Sequence, residues 1–301
     1  MSNQNFIVQL QNEIVKQNPI QQAFILHSVN TLSNEDYAGL EAIIKTYLEQ
    51  NETIQSLALA YNRIVQDTLS EQIYFRRYKS YRYSKFEDVA ANVYFSNEYM
   101  HNYMIGLALT QFIWPNHRTL RNFIEMNLNL KMTGTYFEIG PGHGHQFLFA
   151  LKNTRFEEYI ACDISETSLD LTLKTLESHQ IDKSKFKLLK ADFLQLDSKS
   201  LKVDTLVMGE VLEHVENPEL FLKKIKELTF PKSDIFITTC SNAPAIDHIY
   251  LFRSVNEIEE LIVSQKFKII KKVIIPYEGK TIEYSEANNL PINVGYLIRH
   301  E

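Results

Sequence analysis

Tyr136-Phe137-Glu138-Ile139-Gly140-Pro141-Gly142-His143-Gly144 is the stretch whose reading decides the fold. An apolar run of β character ends in an acid, and three glycines follow at alternate positions. Alternate glycines let the chain turn sharply and let a ligand approach main-chain N–H groups without meeting a Cβ. His145 to Lys152 has helical character, so the turn opens onto a helix N-terminus. Strand, glycine turn and helix in that order make the nucleotide-binding unit of a doubly wound sheet. A dinucleotide fingerprint would need its third glycine at the sixth position. His145 stands there, which speaks against an NAD-dependent oxidoreductase.

Three elements downstream extend the pattern. Tyr159-Ile160-Ala161-Cys162-Asp163 is a short apolar run closed by an acid, about 23 residues after Gly140. An acid at the end of a second strand can accept hydrogen bonds from ribose hydroxyls. Phe186 to Ala191 is apolar and ends in Asp192-Phe193. Val203 to Glu210 is a fourth strand that leads into Val211-Leu212-Glu213-His214-Val215-Glu216-Asn217-Pro218.

Acid-x-Gly-x-Gly-x-Gly followed by these elements resembles the class I S-adenosylmethionine-dependent methyltransferases. The run from Glu210 to Val215 is similar to that of quinone-biosynthesis-type and other small-molecule members. The resemblance covers about Gly134 to Glu301. It implies a seven-stranded doubly wound α/β sheet whose last two strands are antiparallel, and it implies S-adenosyl-L-methionine as cofactor. Glu138 would hold the methionine ammonium, or otherwise cap the following helix. Gly140, Pro141, Gly142 and Gly144 would form the cofactor loop. Asp163 would accept the ribose hydroxyls, Ile164 would pack on the adenine face, and Asp192, followed by Phe193, would meet the adenine amino edge. Glu210, or the backbone at Met208 and Gly209, would line the methionine end. His143 and His145 are expected to face solvent.

The chain has 301 residues, 45% hydrophobic and 23% charged, enough for one large domain or two modest ones. Its net charge of −6 disfavours a nucleic-acid backbone as main partner. Cys162 and Cys240 both fall in expected buried strands, so a reduced, cytoplasmic setting without a disulfide is the simplest expectation. Neither a secretory signal nor a membrane span is expected. Met104 to Trp114, the longest apolar stretch, is too short and is interrupted by Thr110 and Gln111.

The first part of the chain shows helical periodicity: Phe6, Leu10 and Ile14, then Leu40, Ile43, Ile44 and Tyr47, then Leu57, Leu59, Ile64 and Leu69. Ser96 or Asn97 is expected to cap a long helix ending at Trp114-Pro115. An all-helical module over 1–130, serving as lid, substrate-binding element or dimer contact, thus precedes an α/β domain over 131–301. Ser165 is expected to cap a helix over 166–179, Ser254 and Glu257 to form a capping box, and Ser233 to Cys240 to form the fifth strand. Phe267 to Ile275 and Val294 to Arg299 read as the last two strands.

A methyl transfer by direct displacement needs alignment and exclusion of water rather than a covalent nucleophile. The small-molecule acceptor (nitrogen, oxygen or carbon) needs at most a proton acceptor, and Asp247-His248, in the loop after strand five, is the candidate pair. Adjacent side chains usually diverge, so Asp247 need not orient His248. Glu210, Glu213 and His214 are metal-ligand residue types in a short span, but no metal is expected. Seven of the sixteen tyrosines fall between Tyr74 and Tyr103, interleaved with arginine and lysine. Packing against the α/β domain ranks first for this tract, with a lid that includes Tyr78, Tyr94, Tyr99 and Tyr103 second and single-stranded nucleic acid a distant third. The same bound sulfonium would also serve a cyclase or lyase releasing methylthioadenosine, and a non-catalytic scaffold would keep the fold alone.

Overall fold

The computed structural model describes residues 5–90, 93, 96–128 and 133–301. Helices come first: α1 (Phe6–Gln17), α2 (Gln22–Asn30), α3 (Asn34–Glu49), α4 (Ile54–Tyr78), α5 (Phe86–Val89), α6 (Asn97–Ile113) and α7 (Pro115–Asn127). Their starts are chemically marked. Ser33 accepts from Asp36 N, Thr53 and Ser56 form a reciprocal capping box, and Ser96 accepts from Tyr99 N. Trp114 ends α6, and Pro115, which lacks an N–H, opens α7 where no donor is needed.

α6 is the central helix of this part. Ile105, Ala108 and Leu109 pack with Leu10, Ile14, Leu40 and Tyr61 in one apolar core. Gly106 permits the crossing of α4, since a Cβ there would sit 2.6 Å from the Ala60 carbonyl oxygen. The buried Arg121–Asp36 ion pair ties α7 to α3.

The sheet runs β1 (Thr135–Ile139), α8 (His145–Asn153), β2 (Glu158–Asp163), α9 (Glu166–Ser178), β3 (Phe186–Lys190), β4 (Val203–Gly209), α10 (Pro218–Leu228), β5 (Thr229–Ser241), α11 (Val255–Ser264), β6 (Phe267–Ile275), α12 (Ile282–Ala287) and β7 (Ile292–His300). Strand order is β3-β2-β1-β4-β5-β7-β6, with β7 antiparallel to both neighbours. Both faces are covered, which is why β1 and β4 read as near-continuous apolar runs. On one face Phe147, Leu176 and, from α7, Phe123 and Ile124 pack together; Leu222, Ile225, Ile258 and Ile262 pack on the other. α7 thereby fastens the helical part to the sheet.

The seven-stranded sheet and the helical region before it agree with the expected fold class. The expected boundary between 130 and 131 lies outside the described residues. β5 begins four residues earlier than expected, at Thr229, with a register shift against β4 between Val203 and Thr205. The Ser254–Glu257 box closes by half: Ser254 accepts from Glu257 N, but Glu257 Oε2 accepts from Arg253 N. α12 carried too short a period to be expected. The order reverses between β1 and β4, so the loops after these strands diverge and leave a crevice at their C-terminal ends.

Candidate functional site

The crevice opens into a cavity of about 1140 Å³ whose walls come from both parts of the chain. Its floor is the tips of β1, β2 and β4. Met100, Tyr103 and Met104 of α6 and Ile64 of α4 form the opposite wall.

Glu138 ends β1 with its carboxyl buried, 3% exposed, and accepts the Tyr136 hydroxyl at 2.6 Å. No lysine or arginine pairs with it among the described residues. Burial pushes its pKa up to about 8, partly offset by the tyrosine hydrogen bond. A buried carboxyl without a cationic partner on the lip of a cavity suits a ligand that brings its own positive charge.

Gly142 and Gly144 both have left-handed φ angles, +55° and +79°, which favour glycine. A Cβ on Gly144 would come 2.8 Å from Thr172 Cα, so the loop lies directly on α9. The loop histidines differ from expectation. His143 is 7% exposed, its Nδ1 accepts from His145 N and its carbonyl accepts from Thr175 Oγ1. It acts as the side-chain cap that Gly144 cannot provide. Burial lowers its pKa to about 4. His145 is half-buried, edge-on to Tyr47 of α3 at 6.0 Å.

Asp163 ends β2. Its carboxylate takes backbone hydrogen bonds from Ser165, Ile164 and Gly142, tying the second strand tip to the glycine loop. A carboxylate has about four acceptor positions, so roughly one remains for a ligand hydroxyl. Burial nevertheless raises its pKa to about 6. Ile164 is 52% exposed and lines the cavity, as Asp192 does. Phe193 borders the cavity but is chiefly a core residue, wedged between Phe137 and Phe221.

Beyond β4 the chain is strained. Glu210 has φ +51°, held by N–H bonds to the Thr238 carbonyl and hydroxyl, and its Oε1 is buried with no hydrogen-bond partner among the described residues. Glu213 is fully buried and accepts the Thr239 hydroxyl at 2.7 Å. Desolvation, with Glu210 adding to it at Glu213, raises both carboxyls.

Asp247 and His248 do not orient each other. His248 Nδ1 donates to the Ala243 carbonyl at 2.6 Å, and burial, with His214 adding to it, lowers its pKa to about 3. Asp247 instead accepts the Tyr103 hydroxyl at 3.0 Å and lies 3.5 Å from His214 Nδ1. His214 and His248 meet edge-to-face at 4.8 Å. Asp247 and His248 lie at the turn in the loop after β5, where His248 N–H donates to the Ala245 carbonyl, and Asp247 pairs across to the loop after β4.

Of the described tyrosines expected in a lid, only Tyr103 borders the cavity. Tyr99 stands behind it, stacked at 5.7 Å and donating to Asp67. Tyr78 is exposed, beneath the Arg77 guanidinium and away from the cavity, because α4 ends there and turns outward at left-handed Lys79. Tyr94 lies outside the described residues. Arg82 pairs with Glu71 and covers Tyr74. Phe86 N–H donates to Glu216 across the cavity mouth. His117, which also borders the cavity, carried no sequence signal; it is half-buried against Trp114 and bonded to Thr110.

This sheet order, glycine turn and set of strand-tip acids define the class I S-adenosylmethionine-dependent methyltransferase fold, and residues 137–233 match the family described as Methyltransferase domain. Mitomycin 7-O-methyltransferase MmcR is similar at 10% identity and a TM-score of 0.56, over 82% of this chain and 70% of that one. The cyclopropane synthase MmaA2 from Mycobacterium tuberculosis is similar at 11% identity and a TM-score of 0.54, over 72% and 99%. At these identities the likeness is one of fold. No curated protein matches the sequence. Among the described residues no helix is long and apolar enough to cross a membrane.

Proposed function

We propose that the protein is an S-adenosylmethionine-dependent methyltransferase acting on a small molecule. One observation carries this reading: Glu138, Asp163 and Asp192, on successive strand tips, border a single cavity that continues up to Tyr103, His214 and Asp247. Pockets for one drug-sized ligand run roughly 300–1,000 Å³. A cavity of about 1140 Å³ therefore suits a cofactor and a modest acceptor side by side.

The chain's residues fit this cofactor. Glu138 offers the missing counter-charge for an ammonium, the glycine loop admits close backbone approach, Asp163 keeps an acceptor position for ribose, and Ile164 presents an apolar face to a base. When bound, the sulfonium supplies a methyl group that a nucleophile displaces directly. The protein's share is alignment, exclusion of water and acceptance of the acceptor's proton. α6 and the hydrogen bond from Phe86 N–H to Glu216 narrow the cavity on the helical side. Proton acceptance falls to the loop cluster around Asp247.

Isothermal titration calorimetry with S-adenosylmethionine and S-adenosylhomocysteine tests the reading. Uptake of both, with S-adenosylhomocysteine released only when an acceptor is present, is the expected result. Methylthioadenosine formed without an acceptor would make the enzyme a cyclase or lyase. No uptake by folded protein would end the proposal.

A further inference from the structure

The polar cluster on the acceptor side is more than a proton acceptor requires. One ligand-type atom from each of His214, Asp247 and His248 lies within 4.8 Å of the other two, and the same holds for Glu213, Cys240 and His248. Glu210, His214, Asp247 and His248 all border the cavity, and Glu213 backs them. We propose that Glu210, His214, Asp247 and His248 bind one first-row divalent cation, which in turn holds an acceptor through oxygen.

Hydrogen-bond chemistry fixes the imidazoles for this task. A carbonyl can only accept, so His248 Nδ1, against the Ala243 carbonyl, must carry its proton. His214 Nδ1, 3.0 Å from the Asp247 carbonyl, is fixed in the same way. Each ring then has its lone pair on Nε2. Metal-bound histidines characteristically donate their second nitrogen to a carbonyl or carboxylate in this manner.

Charge points the same way. Glu213 is fully buried and Glu210 half-buried beside it, and neither pairs with a lysine or arginine among the described residues. Glu210 Oε1 lacks a hydrogen-bond partner among the described residues, an expensive state for a buried oxygen unless a cation satisfies it. Its left-handed backbone, held by Thr238, is strain at the position that presents that carboxyl. Mixed carboxylate and imidazole donors suit first-row divalent ions better than calcium or magnesium, which prefer oxygen throughout.

Positions left open toward the cavity would take an acceptor oxygen and make its hydroxyl more acidic. Ile64, Met100, Met104 and Leu107 line the space above. The acceptor class is therefore a small, largely apolar molecule carrying a hydroxyl. This last step rests on the methyltransferase reading; the cation site does not.

The experiment is a titration of the chelator-treated full chain with Mn2+ alone, followed by electron paramagnetic resonance of the free ion. One ion per chain is expected, with affinity falling by about tenfold or more in His214→Ala and in Glu210→Gln. Should His214→Ala fail to fold by circular dichroism, Glu210→Gln, which keeps size and shape, gives the same reading. Asp163→Ala, on the opposite side of the cavity, is expected to keep the ion while binding the cofactor more weakly. No Mn2+ on folded wild-type protein, or equal binding in wild type and variants, overturns the site. Ion uptake without cofactor uptake would defeat the methyltransferase reading and leave the cation site standing; the reverse would do the opposite. Equal turnover of a hydroxylated acceptor with and without Mn2+ overturns the acceptor assignment.

Discussion

Glu138, Gly142 and Asp163 come from two consecutive strand–turn–helix units, whereas Tyr103 reaches Asp247 across 144 residues of chain. The two walls of one cavity are thus assembled differently. On the side proposed for the cofactor each strand delivers its acid by ending at the sheet's edge, so position in the motif dictates position in space. On the side proposed for the acceptor, α4, α6 and the loop after β5 meet only because the helical core and the sheet face pack together. Variants on the first side should act on cofactor affinity, and those on the second on acceptor handling.

The largest effect is expected from Glu138→Gln, which removes the proposed counter-charge from a buried pair. Loss of about 3–5 kcal/mol in cofactor binding is expected by calorimetry, with the fold retained. The same residue sets a pH dependence. Its folded pKa of about 8 lies above the ordinary 4.5, so between these values the folded state holds a proton that the unfolded state releases. Stability from this group therefore falls as pH rises through that window. Glu138→Gln should flatten that slope and melt higher than wild type at pH 8. Cofactor binding should run the other way in wild type, strengthening by up to about tenfold per pH unit toward pH 8 as ionisation becomes cheaper. A flat affinity profile would remove Glu138 from the cofactor side.

Gly106→Ala tests the α4–α6 crossing that shapes the helical wall. The added Cβ meets backbone at Ala60, and a stability loss of about 1–3 kcal/mol is expected in urea denaturation. Asp163→Ala should weaken cofactor by about 1–3 kcal/mol, because the carboxylate also fastens the glycine loop. Unchanged affinity would assign Asp163 to loop structure alone. Tyr103→Phe removes one hydrogen bond to Asp247, about 1 kcal/mol, and should appear in acceptor kinetics with cofactor affinity unmoved. A shift in cofactor affinity here would dissolve the distinction between the walls. Tyr78→Ala, on an exposed side chain away from the cavity, should stay within about 0.5 kcal/mol of wild type by thermal melting.

The strands, the glycine loop and the placing of Glu138, Gly140, Asp163 and Asp192 at the cavity were legible in the sequence because each depends on a local period or on one residue's backbone freedom. The loop histidines were misjudged for a related reason: a polar residue in a turn is expected to face solvent. Nothing within a few residues of His143 shows that α9 will bury it, leaving its ring to cap α8. Asp247-His248 was found as a pair of suitable residues, but which groups they face was a tertiary matter.

By itself, then, the order of residues determined a doubly wound sheet with acids at its strand tips, since φ freedom at glycine and alternation along strands act over a few bonds. Only the folded arrangement decided that Tyr103 and His214 share Asp247, that Glu210 holds one buried oxygen unanswered among the described residues, and that Tyr78 stays outside. Those outcomes depend on burial and on the partners that packing brings within hydrogen-bond reach, and no short stretch of chain contains either.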